Sequence, residues 1–168
     1  CPSLHLPVQS GSNAQLEMMQ RGYTIETYRE LVSKLRAAIP DLVLTTDIIT
    51  GFCGETEEDF RQTCELMEEI RFDSAFMFKY SEREGTYAHK KMPDDVAEEL
   101  KGERLQEIIK IQEKISYQLN RRWINQRVEV LVEGPSKRPA ADGSPRYYGR
   151  TRQGKTAIFT QQVPANEI

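Results

Sequence analysis

Three short stretches of the chain concentrate groups able to hold a polar small molecule. Gln9-Ser10-Gly11-Ser12-Asn13 offers carboxamides and hydroxyls that donate and accept, and Gly11 permits close backbone approach. In the stretch from Thr46 to Thr56, Gly51 and Gly54 bracket a strand end just before a helix start, a geometry that sets an apolar wall beside free N–H groups. The stretch from Phe78 to Ala88 is dense in hydrogen-bonding groups and places Arg83 to meet a carboxylate or phosphate. Each follows an apolar, strand-forming run, and parallel α/β folds bind ligands at the carboxyl ends of their strands. Taken singly, each also reads as an ordinary feature: a capped tight turn, a β-turn-α connection, a charged surface loop.

Other chemistry is sparsely supplied. The cysteines are Cys1, Cys53 and Cys64, with no CxxC or CxxxCxxC spacing, so nothing here binds an iron–sulfur cluster unaided. An odd number argues against a secreted disulfide framework and for a reduced, cytoplasmic compartment. Cys64 falls on a helical apolar stripe and is expected to be buried. His5 reads as structural and His89 as solvated, neither having a ligand partner at suitable spacing. The pairs Asp94-Asp95 and Glu98-Glu99 read as helix-start and surface charge.

The elements that must carry these loops follow from periodicity. Leu4, Leu6 and Val8 alternate as a short strand, and Ala14 to Met19 reads as a short helix. Thr24 caps a helix bearing Tyr28, Leu31, Val32, Leu35 and Ile39, which ends at Pro40. Leu42 to Phe52 reads as a strand covered on both faces. Thr56, followed by an acidic first turn, caps a helix with Phe60, Cys64, Met67 and Ile70 inward. Ser74 to Tyr80 is a third strand, and Ser81 to Lys91 a polar loop. Pro93 is expected at the first position of a long helix reaching about Arg122, with Val96, Leu100, Leu105, Ile108, Ile109, Ile115 and Leu119 as its apolar side. Beyond residue 123 the period changes to two, with Val128, Val130 and Val132 on one face and short strands over 147–152 and 156–160. The fold class is α/β, with parallel βα units over residues 1–122 and a small all-β module over 123–168.

Charge divides along the same line. Residues 1–120 hold 14 Lys/Arg against 22 Asp/Glu, whereas residues 121–155 hold 9 against 3. The second module therefore faces a polyanion, or else simply presents a solvated basic surface. Arg127, Arg150, Arg152 and Lys155 are its candidate RNA-binding residues, with Arg150 and Arg152 sharing a strand face near Tyr147, Tyr148 and Phe159. Trp123 is expected to anchor the modules to one another. No apolar run approaches the roughly 18–20 residues of a membrane helix, and no secretory signal is visible. Opening on Cys1-Pro2 suggests a true N-terminus upstream.

Together, Leu4-His5-Leu6-Pro7-Val8-Gln9-Ser10-Gly11-Ser12, Met19-x-Arg21-x-Tyr23-Thr24, Thr46-Asp47-Ile48-Ile49-x-Gly51-Phe52-x-Gly54-Glu55-Thr56 and Tyr80-Ser81-x-Arg83-x-Gly85-Thr86 resemble the radical-SAM methylthiotransferase family. Gly149-Arg150-Thr151 after a Val-Glu-Gly turn resembles that family's C-terminal TRAM module, an RNA-binding β-barrel. The His-Leu-Pro-Val-Gln-Ser-Gly run is similar to the branch acting on isopentenyl-adenosine beside the tRNA anticodon. The ribosomal-protein branch usually has His where Ser10 stands, and the threonylcarbamoyl-adenosine branch often Ser where Pro7 stands. Cys53 departs from the family, in which Pro is usual and makes the loop more rigid.

The resemblance implies the last three strands and closing helix of an incomplete six-stranded βα barrel, then a truncated TRAM module. S-adenosylmethionine would lie across the strand ends, with Gln9 and Ser10 on its polar groups and Ile49 and Gly51 on its adenine side. Arg21 and Arg83 would meet its carboxylate or a substrate phosphate. Two [4Fe-4S] clusters are implied, their ligands lying in a missing N-terminal part, so this stretch alone would be inactive. The implied partner is a tRNA anticodon stem-loop, and an exposed sheet edge would favour self-association. A non-catalytic RNA-binding protein is the reading that needs no cluster.

Overall fold

The computed structural model describes residues 2–160; Cys1 and residues 161–168 lie outside that range. Its first sheet joins β1 (Ser3–His5), β2 (Val43–Thr50) and β3 (Ser74–Lys79) in that order, all parallel, with Ser3 beside Val43 and Thr45 beside Ser74. A single further bridge between Gln9 and Ile48 carries the pairing past the end of β1.

The helices start where side-chain caps can form. Ser12 accepts from Gln15 N ahead of α1 (Asn13–Met18), and Thr24 from Thr27 N ahead of α2 (Ile25–Ala38). Thr56 and Asp59 form a reciprocal capping box at α3 (Glu57–Ile70), whose first turn is acidic as the helix dipole favours. Leu44 and Ile48 of β2 pack with Tyr28, Val32, Phe60, Met67 and Ile108 in one core between sheet and helices. Cys64 is half-buried at the margin of that core, less enclosed than its place in the stripe suggests.

Three expectations about these elements are corrected. First, β2 is covered on one face only among the described residues. Thr45, Asp47 and Ile49 on the opposite face are half-buried, and Phe76 and Phe78 beside them on β3 are 59% and 54% exposed. Second, Ser81 to Lys91 is not all loop, because Thr86 caps a short helix, α4 (Tyr87–Lys91). Third, the long helix α5 (Glu98–Asn120) starts five residues after Pro93. The intervening segment is tied elsewhere: Asp95 accepts from Gly54 N at 2.7 Å, and Asp94 accepts from Lys101 Nζ at 2.5 Å. Asp94 and Glu98, exposed and near the helix start as expected, are also the partners of a buried lysine. The buried line of α5 runs Lys101, Arg104, Ile108, Gln112, Ile115, polar where it crosses the β2–α3 loop.

A single turn of tighter helix at Arg121–Trp123 leads into an antiparallel meander of β4 (Val130–Pro135), β5 (Tyr147–Thr151) and β6 (Thr156–Phe159). Val128 precedes β4 and is 40% exposed, so only Val130 and Val132 share the expected face. Arg152 lies in the turn just after β5, yet with Arg150 it borders one shallow pocket beside Glu129 and Leu131, as their alternation predicts. The meander meets the amino-terminal ends of the parallel strands: Ser3, Val43 and Ser74 share a crevice with Trp123, Gly154 and Lys155.

Candidate functional site

At the other end of the parallel sheet, the carboxyl ends of the strands border a cavity of about 610 Å³. Gln9 follows β1, Asp47 and Ile49 lie on β2, and Phe52 stands in the β2–α3 loop. Phe78 and Lys79 end β3, and Tyr80, Ser81 and Arg83 follow it. Met18 to Arg21 at the end of α1, and Thr86 to Ala88 at the start of α4, complete the wall.

Of the six residues expected at a cofactor, Gln9, Arg21, Ile49 and Arg83 line this cavity. Ser10 and Gly51 do not. Ser10 is fully buried, its hydroxyl 3.3 Å from that of Thr63 and accepting from Ser12 N, so it fastens the loop to α3. Gly51 donates its N–H to Glu55 Oε2 at 2.7 Å and lies under Lys101. Both hold the wall from behind.

The loop after β1 is welded in place. Ser12 Oγ donates to Asp59 Oδ1 at 2.5 Å, Gly11 N donates to Thr63 Oγ1 at 2.9 Å, and Gly11 lies so close to the backbone of Gln62 and Thr63 that a β-carbon has no room. Burial alone would raise the Asp59 carboxyl, but the bonds from Ser12 and Thr56 outweigh it and hold it below its usual value. Against that rigid base, Gln9 adopts φ +70°, and Gln20 across the cavity adopts φ +55°. Left-handed backbone at a non-glycine residue costs about 1–2 kcal/mol and persists where the surroundings impose it. Gln9 is 7% exposed, and its carboxamide makes no hydrogen bond among the described residues.

The other side is apolar. Phe52 and Tyr80 meet edge to face at 4.9 Å, with Met18, Met19, Ile49, Ala88 and Met92 around them. Burial pushes the Tyr80 phenol up to about 12, with the neighbouring Cys53 thiol adding to the rise, and raises the Cys53 thiol too. Cys64 is pushed to about 12 by burial and nearby carboxylates, so neither thiol is activated. Among the described residues no three His, Cys, Asp or Glu side chains converge to hold a metal.

Asp47, Phe52 and Tyr80 fall within the stretches expected to hold a ligand without being singled out there, whereas the Met18–Arg21 turn was missed as a wall, although Arg21 itself was expected. Met18 and Met19 read as ordinary helix, yet both border the cavity, and the chain leaves them through left-handed backbone at Gln20. His5 extends the same open face of the sheet, its Nδ1 2.9 Å from Thr45 Oγ1 and its Nε2 3.4 Å from Asp47.

The basic residues of the β module are less available than their number suggests. Arg150 pairs with Glu133 at 3.1 Å and Arg152 with Glu129 at 2.5 Å. Lys155 reaches Asp73 at 3.2 Å and Asn120 at 2.9 Å. Arg127 is exposed in the connection to β4. Arg150 and Arg152 border one shallow pocket, and Lys155 lines the crevice at the amino-terminal ends of the parallel strands.

Comparison with known proteins places the pattern. The Radical SAM superfamily matches residues 1–67. Over 99% of its length the chain is 50% identical to the tRNA-2-methylthio-N(6)-dimethylallyladenosine synthase of Methylacidiphilum infernorum, covering 34% of that protein. It is 52% identical over 97% of its length to the synthase of the same name from Chlorobium limicola, covering 36%. The chain thus spans about a third of the length of these curated relatives. Coproporphyrinogen III oxidase from Escherichia coli, a radical SAM enzyme, superposes with a TM-score of 0.58 over 92% of this chain and 41% of its own, at 17% identity, a likeness of fold. No helix among the described residues is long and apolar enough to cross a membrane.

Proposed function

The chain belongs to the radical-SAM methylthiotransferase family, and from that premise we propose that its α/β part positions S-adenosylmethionine for methylthio transfer to an N6-modified adenosine beside the anticodon of tRNA. The observation that carries this reading is Gln9: a residue on left-handed backbone, 7% exposed, whose carboxamide has no hydrogen-bond partner among the described residues and which borders a cavity at the strand ends.

The cavity suits the proposed ligand. Ile49 and Phe52 offer an apolar wall to a flat ring, the Gln9 carboxamide both donates and accepts toward polar atoms, and Arg21 and Arg83 supply positive charge for a carboxylate. When bound, S-adenosylmethionine and the two proposed [4Fe-4S] clusters supply the radical and sulfur chemistry. The described residues do not fit a cluster, since no ligand set converges and both described thiols are raised. We place the cluster ligands in the remainder of the relatives' length, so residues 1–168 alone bind and orient without turning over. The parallel sheet is taken as part of a βα barrel, and the meander as part of a TRAM module.

The test uses the intact enzyme, reconstituted with clusters and given tRNA bearing dimethylallyladenosine, S-adenosylmethionine and a reductant. Digestion and mass spectrometry should show the methylthio product, lost or strongly reduced in Gln9→Ala. Absence of product from the wild-type enzyme, or its formation by residues 1–168 without other protein, overturns the reading.

A further inference from the structure

We propose that Arg104, which lies on α5 outside the cavity, is a positioning residue for S-adenosylmethionine: through Glu55 it fixes the β2–α3 loop that carries Phe52 to the cavity wall. The inference rests on the reading of that cavity as the S-adenosylmethionine site. It goes further by giving a part in binding to a helix none of whose side chains lines the cavity.

The link runs through one carboxylate oxygen. Glu55 Oε2 accepts from Gly51 N and from Arg104 Nη1, both at 2.7 Å. The same Nη1 donates to Glu55 O at 3.1 Å, and Nη2 donates to Glu57 Oε2 at 3.1 Å. Glu55 N donates in turn to Phe52 O at 3.0 Å. Glu55 thus closes the loop around Phe52, Cys53 and Gly54, and Arg104 ties that closure to α5. Asp95 holds the tip of the same loop through Gly54 N. Arg104 sets its base, where the chain turns away from Ile49. The guanidinium also lies 5.2 Å from the centroid of the Phe60 ring, so α3 and α5 both locate it.

Stability does not account for the pair. The side chains of Arg104 and Glu55 are 4% and 1% exposed, and taking two charges out of water offsets most of their attraction. Arg104 Nε is also buried without an acceptor among the described residues, a further cost. Burial raises the Glu55 carboxyl above its usual range, opposed by the Gly51 N–H and by the guanidinium. What the pair supplies is direction. A guanidinium presents its donors in a rigid plane, and here that plane meets a carboxylate, a backbone carbonyl and a second carboxylate at once.

The loop needs such a guide. Gly51 and Gly54 hold left-handed backbone at φ +70° and +68°, and glycine has the most conformations to lose. Phe52 meets Tyr80 edge to face at 4.9 Å, and both line the cavity. A loop freed at Glu55 lets that aromatic wall drift, and apparent affinity falls by the fraction of molecules that keep the competent geometry.

The experiment uses the intact enzyme with its clusters assembled. Two readouts need no turnover: the Kd of S-adenosylmethionine by equilibrium dialysis without reductant, and the rate at which N-ethylmaleimide labels Cys53, mapped by mass spectrometry. Cys53 is 1% exposed and follows Phe52 in the loop, so its labelling reports loop opening. Arg104→Met and Arg104→Lys should each speed the labelling and raise Kd by about 2- to 30-fold, with KM for S-adenosylmethionine rising alike and kcat at saturation holding. Lysine keeps the charge but not the plane, so it should not rescue. Glu55→Gln combined with Arg104→Met removes both buried charges and should recover most of the unfolding midpoint lost in Arg104→Met. It should nevertheless keep the raised Kd and the fast labelling. Kd and labelling that never change, or that return to wild-type values together with stability, overturn the proposal and leave the functional reading intact. A wild-type enzyme that does not bind S-adenosylmethionine overturns both.

Discussion

Lys101 occupies the space that a β-carbon on Gly51 would need, and Gly51 itself holds φ +70°. The lysine side chain is only 1% exposed, and its ammonium is held by Asp94 and Glu98, 5.4 Å above the Tyr80 ring. The first turn of α5 is thereby keyed into the β2–α3 loop, which also carries Phe52 to the cavity next to Ile49 at the end of β2. Gly51→Ala therefore meets two obstacles, the left-handed backbone and the buried lysine. We expect a loss of about 2–4 kcal/mol by denaturant unfolding. In a Lys101→Ala background the same change should cost only the backbone part, about 1–2 kcal/mol. Strict additivity of the two substitutions would mean that they do not share this space.

The Asp59 carboxylate accepts from Ser12 Oγ at 2.5 Å and from Thr56 Oγ1 at 2.6 Å, which holds it below its usual range despite burial. A carboxyl depressed in the folded state contributes stability that is present above its unfolded value, about 3.9, and lost as pH falls through the lower folded value. Acidification below about pH 4 should therefore remove stability from the wild type. Asp59→Asn, unable to accept from both hydroxyls as well, should lose about 1–3 kcal/mol at neutral pH. The gap between the two should narrow in acid. A gap that stays constant from pH 7 to pH 3 would show that the bonds do not depend on the charge.

Asp73 ties the β module to the amino-terminal end of the sheet. Its carboxylate, 4% exposed, meets Arg122 at 3.1 Å and Lys155 at 3.2 Å, and accepts from Leu44 N at 3.2 Å. Asp73→Asn keeps an acceptor for Leu44 but surrenders both ion pairs, so the connection over 121–129 should loosen first. Limited trypsin digestion should cut at Arg122 and Arg127 several-fold faster in the variant, with fragments 1–122 persisting. Equal cleavage rates would show that the crevice around Trp123 holds the module without Asp73.

What was legible in the chain was what local rules decide. Thr24 and Thr56 announce their helices because a cap is a contact across three residues. Of the three parallel strands, β2 follows from its β-branched run and β1 from apolar alternation through Leu4, Leu6 and Val8, and the strand ends mark the cavity. What escaped depends on contacts distant in sequence. Pro93 is a sound helix-start signal, yet Asp95 is claimed by Gly54, 41 residues away, and the helix waits until Glu98. The division of labour between Gln9 and Ser10 rests on one dihedral angle that α3 imposes through Thr63 and Asp59. The β-module arginines were countable, but their carboxylate partners became visible only once the hairpin set Glu133 beside Arg150.

The strain at Gln9 makes a last prediction that separates stability from function. With φ +70°, a glycine at this position relieves about 1–2 kcal/mol of backbone cost, and it gives back about 0.5–1 kcal/mol because the unfolded chain gains freedom. Gln9→Gly should therefore be neutral or up to about 1.5 kcal/mol more stable than the wild type in thermal or denaturant unfolding. Gln9→Ala keeps the strained backbone and should be the less stable of the two. Both lack the carboxamide, so in the intact enzyme both should raise the concentration of S-adenosylmethionine needed for half-maximal activity. That combination, a fold relaxed and a site weakened by one change, is the mark of a residue kept for its ligand. If Gln9→Gly instead unfolds more readily than Gln9→Ala, the glutamine is held by packing and the cavity has lost its principal recognition group.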